Sequence, residues 1–207
     1  WWPSEGWFET MAGAVLAQNV SWSGASRAVC GLKEAGILSP RHLAQADPAF
    51  VASCIRSSRF YHQKTKTLQG FARWFLERYD GELEQMQQED TGILREALLS
   101  LPGMGPETVD SILLYACGRP VFVVDAYTRR IGCRTGWFLE NVSYHTMQTF
   151  FSERLPPDSA LYNDFHAQIV HLGNTTCTKN PHCTRCPIRM IVPCPAGCTR
   201  EHGKERP

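Results

Sequence analysis

The sequence predicts an all-α fold, and three observations support this prediction. Apolar residues recur at helical spacing along most of the 207 residues. Proline and short polar residues stand between these segments, where helices ordinarily begin. The one run with a strand-like pattern, residues 121–124, is too short to build a sheet. We therefore expect helices throughout, in a chain long enough for one large domain or two small ones.

The first part of the chain predicts four helices. An apolar stripe over residues 7–16 predicts the first. Ser39-Pro40 and Asp47-Pro48 each combine an N-cap residue with proline at the first helical position, so a helix is expected after each. A stripe over residues 68–76 predicts a longer helix that ends near Asp80-Gly81.

Four further helices are predicted beyond residue 90. Apolar stripes lie at residues 93–98 and 109–116, and Gly118 and Pro120 stop the second of these. Residues 144–151 and 161–172 supply the last two stripes.

Charge is nearly balanced overall but uneven along the chain. The 21 basic and 20 acidic side chains leave a net charge of +1. Residues 56–73 nevertheless carry basic side chains and no acidic one, whereas residues 77–96 are acidic. Basic segments of this kind could face phosphates, although charge alone favours the explanation that they are ordinary solvated faces. The chain shows neither an apolar run long enough for a bilayer nor a signal-peptide pattern, so we expect no membrane partner.

A glycine-rich turn joins two of the predicted helices at residues 101–108. Pro102 and Gly103 turn the chain, and Gly105 leaves no side chain where the next helix begins. Backbone N–H groups exposed at such a turn can hold a phosphate without reading sequence. A plain helix–helix turn is the alternative.

Asp125 stands directly after the apolar run 121–124 and before a helical segment. An acid in that position is usually an N-cap. Together, however, the glycine turn and this aspartate resemble the helix-hairpin-helix and Gly/Pro-Asp signature of the endonuclease III superfamily of DNA base-excision glycosylases.

The resemblance covers nearly the whole chain and implies a two-domain fold with DNA held between the domains. Residues 1–118 would form a six-helix domain with the helix-hairpin-helix, and residues 119–207 a helical iron–sulphur domain. A family helix that precedes Trp1 would be missing, so the native start is expected to lie further upstream. The resemblance also makes Asp125 the catalytic carboxylate.

Five of the nine cysteines lie between residues 177 and 198, which indicates metal binding. Thiolates at this spacing suit either a 4Fe-4S cluster or a structural zinc. The resemblance implies the cluster. Cys194 is preferred to Cys198 as the last ligand, because Cys198 would leave an eleven-residue gap. The expected ligands are Cys177, Cys183, Cys186 and Cys194, and the expected buried thiols are Cys30, Cys54, Cys117 and Cys133.

Glu107 occupies the hairpin position where bifunctional members of the family carry a lysine. That lysine attacks the sugar as a Schiff-base nucleophile, and a carboxylate cannot do so. The resemblance therefore implies a monofunctional enzyme, with Asp125 stabilising the transition state or activating water.

Three tryptophans suggest the kind of base. Trp1 and Trp2 precede a proline, and Trp22 follows a Gln-Asn pair, which is similar to bacterial 3-methyladenine glycosylases. Indole rings attract a cationic alkylated base, and the negative charge of Glu107 would also favour a positively charged base. A hydrophobic anchor for the chain start and a core aromatic are the alternatives.

The resemblance also implies a set of DNA contacts. Gln18 would fill the gap left by the flipped nucleotide, and Phe60 would be a wedge in the opposite strand. A helix-end amide and core packing are the alternatives. Backbone at Gly103 and Gly105, with Arg130, would hold phosphates. His166 and His171 are expected in the core or an interface rather than in catalysis.

The sequence is thus interpreted as a monofunctional glycosylase for alkylated purines such as 3-methyladenine. It is expected to act as a monomer on damaged double-stranded DNA in the bacterial cytoplasm, at the nucleoid. A mismatch or uracil/thymine glycosylase, a bifunctional oxidised-pyrimidine enzyme and a catalytically silent lesion-binding protein are the alternatives.

Overall fold

A computed structural model describes residues 4–192 and 194–196. Within these ranges the regular structure is helical and no strand occurs, which confirms the all-α prediction. Trp1, Trp2 and Cys198 lie outside the described residues. The α-helices are α1 (Trp7–Leu16), α2 (Trp22–Glu34), α3 (Pro40–Gln45), α4 (Pro48–Cys54), α5 (Tyr61–Tyr79), α6 (Leu83–Gln88), α7 (Thr91–Leu99), α8 (Pro106–Ser111), α9 (Ala126–Thr135), α10 (Tyr144–Ser152) and α11 (Ser159–Thr175).

The chain divides into two compact units, with the first ending at Arg119 and the second beginning at Pro120. The first contains α1 to α8 and the second contains α9 to α11. The roles expected for the two predicted domains stay predictions.

Local capping explains where the helices of the first unit begin. Ser39 accepts a hydrogen bond from the His42 N–H, and Asp47 accepts one from the Phe50 N–H. Each cap satisfies an orphan donor and is followed by proline at the first helical position, as the sequence predicts. Asp80 adopts a left-handed conformation and ends α5.

Aromatic packing between α1 and α5 forms the core of the first unit. Phe8 stacks on Phe71 with ring centroids 6.4 Å apart, and Phe71 stacks on Phe75 at 6.0 Å. The Gln69 amide on α5 donates to the Leu43 and Ala46 carbonyls at the end of α3. These bonds satisfy carbonyl groups that would otherwise lack a hydrogen-bond donor at the end of the helix.

The stripe at residues 109–116 is not one regular α-helix. α8 ends at Ser111 and continues as a π-helix over Ile112–Ala116, with the Cys117 N–H bonded to the Ile112 carbonyl at 3.1 Å. This helix ends at Ala116, two residues before Gly118, and the Arg119 N–H then bonds to the Leu113 carbonyl.

The second unit is built around the contact between α9 and α11 and an aromatic cluster. Phe122 stacks on Phe151 with centroids 4.2 Å apart, and Tyr162 meets Phe122 edge-on. Gly173 allows the close approach of α11 to α9, because a Cβ there would lie 2.4 Å from the Tyr127 ring. No helix in the described part of the chain is long and apolar enough to cross a membrane.

Candidate active site

The turn at residues 101–105 connects α7 to α8 through a residue that only glycine suits. Gly103 has φ +84°, and a Cβ there would lie 2.2 Å from the Thr67 hydroxyl. Gly105 precedes α8 with φ −87° and has no side-chain cap. The hairpin predicted from the sequence is therefore formed, and its contact with phosphate stays a prediction.

A side-chain amide fixes this hairpin to the end of α1. Gln18 Nε2 donates to the Gly103 carbonyl at 3.0 Å and to the Thr108 hydroxyl at 2.8 Å. The sequence resemblance predicts that Gln18 contacts DNA, but no sequence pattern predicts its hydrogen bonds to Gly103 and Thr108. The role of Gln18 in filling the gap left by a flipped nucleotide remains a prediction. The structure shows that its side chain is bonded to the hairpin.

Substituting the two hairpin glycines should have unequal effects on stability. Gly103→Ala combines a left-handed backbone with a steric clash and should lower the free energy of unfolding by about 1–3 kcal/mol. Gly105→Ala is the matched control, because nothing lies within 4 Å of its Cβ position, so we expect about 0.5 kcal/mol or less. Urea denaturation of both variants measures the difference, and equal losses would contradict this account of the turn.

Phe60 is an exposed aromatic residue on a strained backbone. Its side chain is 66% exposed, with φ 47° following φ 50° at Arg59. Two consecutive non-glycine residues with positive φ are costly, and such strain is concentrated at functional sites. The Arg59 guanidinium lies 5.8 Å from the Phe60 ring centroid. Core packing is therefore wrong for this side chain, and its role as a wedge stays a prediction.

Lys64 holds this segment against the end of α1. The side chain is 3% exposed, and its ammonium donates to the Leu16 carbonyl at 2.7 Å and to the Ser58 carbonyl. Burial lowers the pKa of Lys64 to about 8. Lys64 thus links the segments that precede Gln18 and Phe60, a role that the sequence does not indicate.

Trp22 and Glu107 keep their side chains near solvent in the first unit. Trp22 is the first residue of α2 and is 46% exposed, so the core alternative is wrong for it. Glu107 is exposed in the first turn of α8. Their predicted contact with a base is not tested by these positions.

Asp125 is the N-cap of α9 and is anchored through one of its two oxygens. Oδ1 accepts from the Thr128 N–H at 2.7 Å and from the Thr128 hydroxyl at 2.8 Å. The Asp125 N–H donates back to the Thr128 hydroxyl at 3.4 Å, which completes a capping box. Oδ2 lies 3.5 Å from Nε2 of His166 on α11. The carboxylate side chain is only 10% exposed.

The surroundings of Asp125 favour its charged form. Burial by itself would raise its pKa, but the adjacent His166 and the hydrogen bonds from Thr128 outweigh burial and lower the pKa of Asp125 below its usual value. The side chain is therefore an ionised carboxylate at neutral pH. Such a group, held in a partly dry position, can stabilise positive charge that develops on a reactant.

Arg130 is engaged within the second unit. Its guanidinium donates to the Cys177 carbonyl at 2.8 Å and to the Gly173 carbonyl at 2.7 Å, and it lies 5.0 Å from the centre of the Tyr127 ring. These bonds connect α9 to the end of α11. The sequence predicts a phosphate contact for Arg130, and that remains a prediction for a side chain that also has this internal role.

The four predicted cluster ligands line a single cavity of about 190 Å³. These are Cys177, Cys183, Cys186 and Cys194. Arg134 donates to the Cys177 sulphur at 3.2 Å and to the Thr178 carbonyl at 2.6 Å. Among the described residues, no three metal-ligating side chains are grouped tightly enough to hold an ion. Four sulphur donors lining one cavity nevertheless suit a cluster of thiolate-bound iron, and the Arg134 guanidinium supplies a hydrogen bond to one of these sulphur atoms.

The remaining cysteines behave differently from one another. Cys117 is buried, and burial raises the pKa of its thiol to about 12, as expected for an inert core residue. Cys30 is exposed on α2, and Cys54 and Cys133 are half-buried. The prediction of a buried thiol is thus wrong for Cys30, because position 30 falls on the solvent side of an amphipathic helix.

Comparison with known proteins decides the family. Residues 12–157 match the model of the HhH-GPD superfamily of base excision DNA repair proteins. The chain belongs to this superfamily. A Methanocaldococcus jannaschii protein assigned as a DNA repair glycosylase is 40% identical over 191 residues, which cover 91% of this chain and 86% of that relative. This HhH-GPD protein is accordingly a DNA N-glycosylase.

Solved structures share the fold of this HhH-GPD glycosylase. The 3-methyladenine DNA glycosylase of H. pylori bound to 1,N6-ethenoadenine has a TM-score of 0.74 and 32% identity, covering 83% of this chain and 86% of that chain. Endonuclease III trapped as a covalent intermediate with DNA has a TM-score of 0.82 and 22% identity, covering 96% and 88% of the respective chains. The likeness to endonuclease III concerns the fold alone.

Proposed function

We propose that this HhH-GPD protein is a monofunctional DNA glycosylase that releases alkylated purines, with 3-methyladenine as the preferred base. The observation that carries the proposal is Asp125, a largely buried carboxylate whose pKa is lowered and whose orientation is fixed by a capping box. Breaking an N-glycosidic bond places positive charge on the sugar, and an ionised carboxylate stabilises that charge.

Asp125 would perform this chemistry through Oδ2. Because Oδ1 accepts two hydrogen bonds from Thr128, Oδ2 is the oxygen more available to a sugar or to an attacking water. The damaged nucleotide must leave the duplex before it can reach such a group. Hydrolysis then gives a free base and an abasic site.

The choice of an alkylated purine is supported by residue chemistry and by similarity. Trp22 offers an exposed indole, and an indole attracts a cationic base by about 0.5–2 kcal/mol. Trp1 and Trp2 are proposed as further walls of the base pocket, and Glu107 as a negative group that favours the cation. The similar H. pylori enzyme is named for 3-methyladenine.

The proposed partner is double-stranded DNA that contains a damaged base. Gln18 and Phe60 would occupy the space that the flipped nucleotide leaves, while backbone at Gly103 and Gly105 would contact phosphate. We expect the protein to work as a monomer at the bacterial nucleoid, in the cytoplasm.

We further propose a 4Fe-4S cluster bound by Cys177, Cys183, Cys186 and Cys194. The support is the shared cavity lined by four thiols and the Arg134 guanidinium beside Cys177. When bound, the cluster would supply four strong iron–thiolate bonds that order this segment. The residues themselves provide the thiolates, and Arg134 neutralises part of their charge.

The substrate is tested by measuring base release from duplexes that carry one lesion each. The set contains 3-methyladenine, 7-methylguanine, uracil, thymine glycol and thymine in a mismatch. We expect the fastest release for 3-methyladenine. Faster release of uracil or mismatched thymine would contradict the alkylpurine proposal in favour of a mismatch enzyme, and faster release of thymine glycol would favour the endonuclease III type.

Borohydride should not trap this protein on DNA. A Schiff base requires an amine at the reacting sugar, and the hairpin offers the Glu107 carboxylate there. The measurement is gel electrophoresis of the protein with lesion-containing DNA and borohydride, beside a lysine-containing bifunctional glycosylase as the positive control. A shifted covalent band for the present chain would contradict the monofunctional mechanism.

Phe60→Ala should weaken binding to lesion-containing duplex by about 10-fold, which corresponds to about 1.4 kcal/mol. The reason is that an apolar wedge offsets the cost of unstacking the duplex. Phe50→Ala is the matched control, because Phe50 is also exposed, at 47%, but lies within the regular helix α4. Fluorescence anisotropy measures both affinities, and an equal loss in the two variants would remove the special role of Phe60.

A further inference from the structure

The partner of Asp125 on α11 is a buried histidine. His166 is 5% exposed, and its Nε2 lies 3.5 Å from Asp125 Oδ2. We infer that His166 is a positioning residue for Asp125, which holds and orients the reacting oxygen of the carboxylate. This inference rests on the proposed function, because it presumes that Asp125 acts on the sugar.

The two carboxylate oxygens of Asp125 have different neighbours, and His166 is the one that lies beside Oδ2. Thr128 belongs to the same helix as the cap and fixes Oδ1. His166 comes from another helix and faces Oδ2. The capping box alone leaves the carboxylate able to turn about its anchored oxygen, whereas a second contact from α11 defines where Oδ2 points.

The helix that carries His166 is itself fixed against α9. Gly173 lies seven residues further along α11, on the same helical face, and its carbonyl accepts from Arg130 at 2.7 Å. The Tyr127 hydroxyl donates to Asn174 at 2.6 Å. His166 is therefore presented to Asp125 by a rigid pair of helices rather than by a loop, which is what accurate placement of a reacting group requires.

A purely structural histidine makes a different prediction from a positioning one. If His166 only fills space, a leucine of similar bulk should serve, and any damage should appear as lost stability. If it positions Asp125, a side chain with an N–H group that can reach Oδ2 should preserve more activity than leucine. Glutamine provides this comparison without a titrating ring.

The experiment measures single-turnover base release and DNA affinity for His166→Leu, His166→Gln and Asp125→Asn. We expect His166→Leu to slow release roughly 10- to 100-fold with DNA affinity nearly unchanged, and His166→Gln to recover a large part of the rate. His171→Leu is the control, because His171 is an exposed histidine on the same helix. It should release base at the unmodified rate.

Two results would overturn the inference. One is an unchanged rate in His166→Leu, and the other is equal slowing in the leucine and glutamine variants, which would mean that only packing matters. If His166→Leu fails to fold, the rate of base release by His166→Gln is compared with that of the unmodified protein. A rate in His166→Gln as low as that of Asp125→Asn would show that a hydrogen-bond donor at this position does not preserve activity, and would contradict the inference. Normal release by Asp125→Asn would instead overturn the proposed function itself.

Discussion

Asp125→Asn should reduce base release by about 100- to 1,000-fold or more while leaving DNA binding largely intact. The substitution removes charge but keeps shape, and asparagine is as good an N-cap as aspartate. Its amide oxygen can still accept from the Thr128 N–H, so α9 should start at the same residue. The loss would therefore report on the negative charge, which the lowered pKa of Asp125 maintains at neutral pH.

Asp90→Asn is the matched control for this variant. Asp90 caps α7 by accepting from the Gly92 and Ile93 N–H groups, so it has the same local role. We expect full activity from Asp90→Asn. Single-turnover release and anisotropy on the same duplex measure both effects, and normal excision by Asp125→Asn would show that another group performs the chemistry.

Cys186→Ser should remove most of the iron from the protein and lower the thermal stability of the second unit. Between residues 176 and 192 the described chain contains only the 3-10 turn Cys183–Arg185 as regular structure, so a bound metal group would supply much of the order of this segment. We expect about four iron atoms per chain in the unmodified protein, and far fewer after a ligand is lost.

Iron analysis and thermal denaturation test this expectation, with Cys30→Ser as the control. Cys30 is exposed on α2 and remote in sequence from the four thiols, so its substitution should change neither quantity. Stoichiometric zinc without iron in the purified protein would contradict the cluster, as would full iron content in Cys186→Ser.

The sequence predicts well those structural features that depend on residues adjacent in the chain. The starts at Ser39-Pro40 and Asp47-Pro48 follow from capping, which needs only a few adjacent residues. Asp125 is predicted as an N-cap for the same reason, and the structure confirms it. The family signature then adds the hairpin, whose shape depends on Gly103, where the Cβ of any other residue would collide with the Thr67 hydroxyl.

Contacts between distant residues are the ones that the sequence does not predict. His166 lies on an apolar helical stripe, where its type is consistent with plain burial, and only the fold shows that it faces Asp125. The internal bonds of Arg130 and the buried bonds of Lys64 are likewise made by tertiary packing. Charged residues in such positions cannot be separated by pattern from those on a solvated face.

Strand integrity after base release shows whether the protein hydrolyses the N-glycosidic bond without cutting the DNA backbone. An end-labelled duplex with a single 3-methyladenine is incubated with the protein, and half of each sample is then treated with alkali. A monofunctional glycosylase leaves an abasic site, so we expect released base and a strand that breaks only after alkali. Strand cleavage without alkali, or no release of the base, would contradict this expectation.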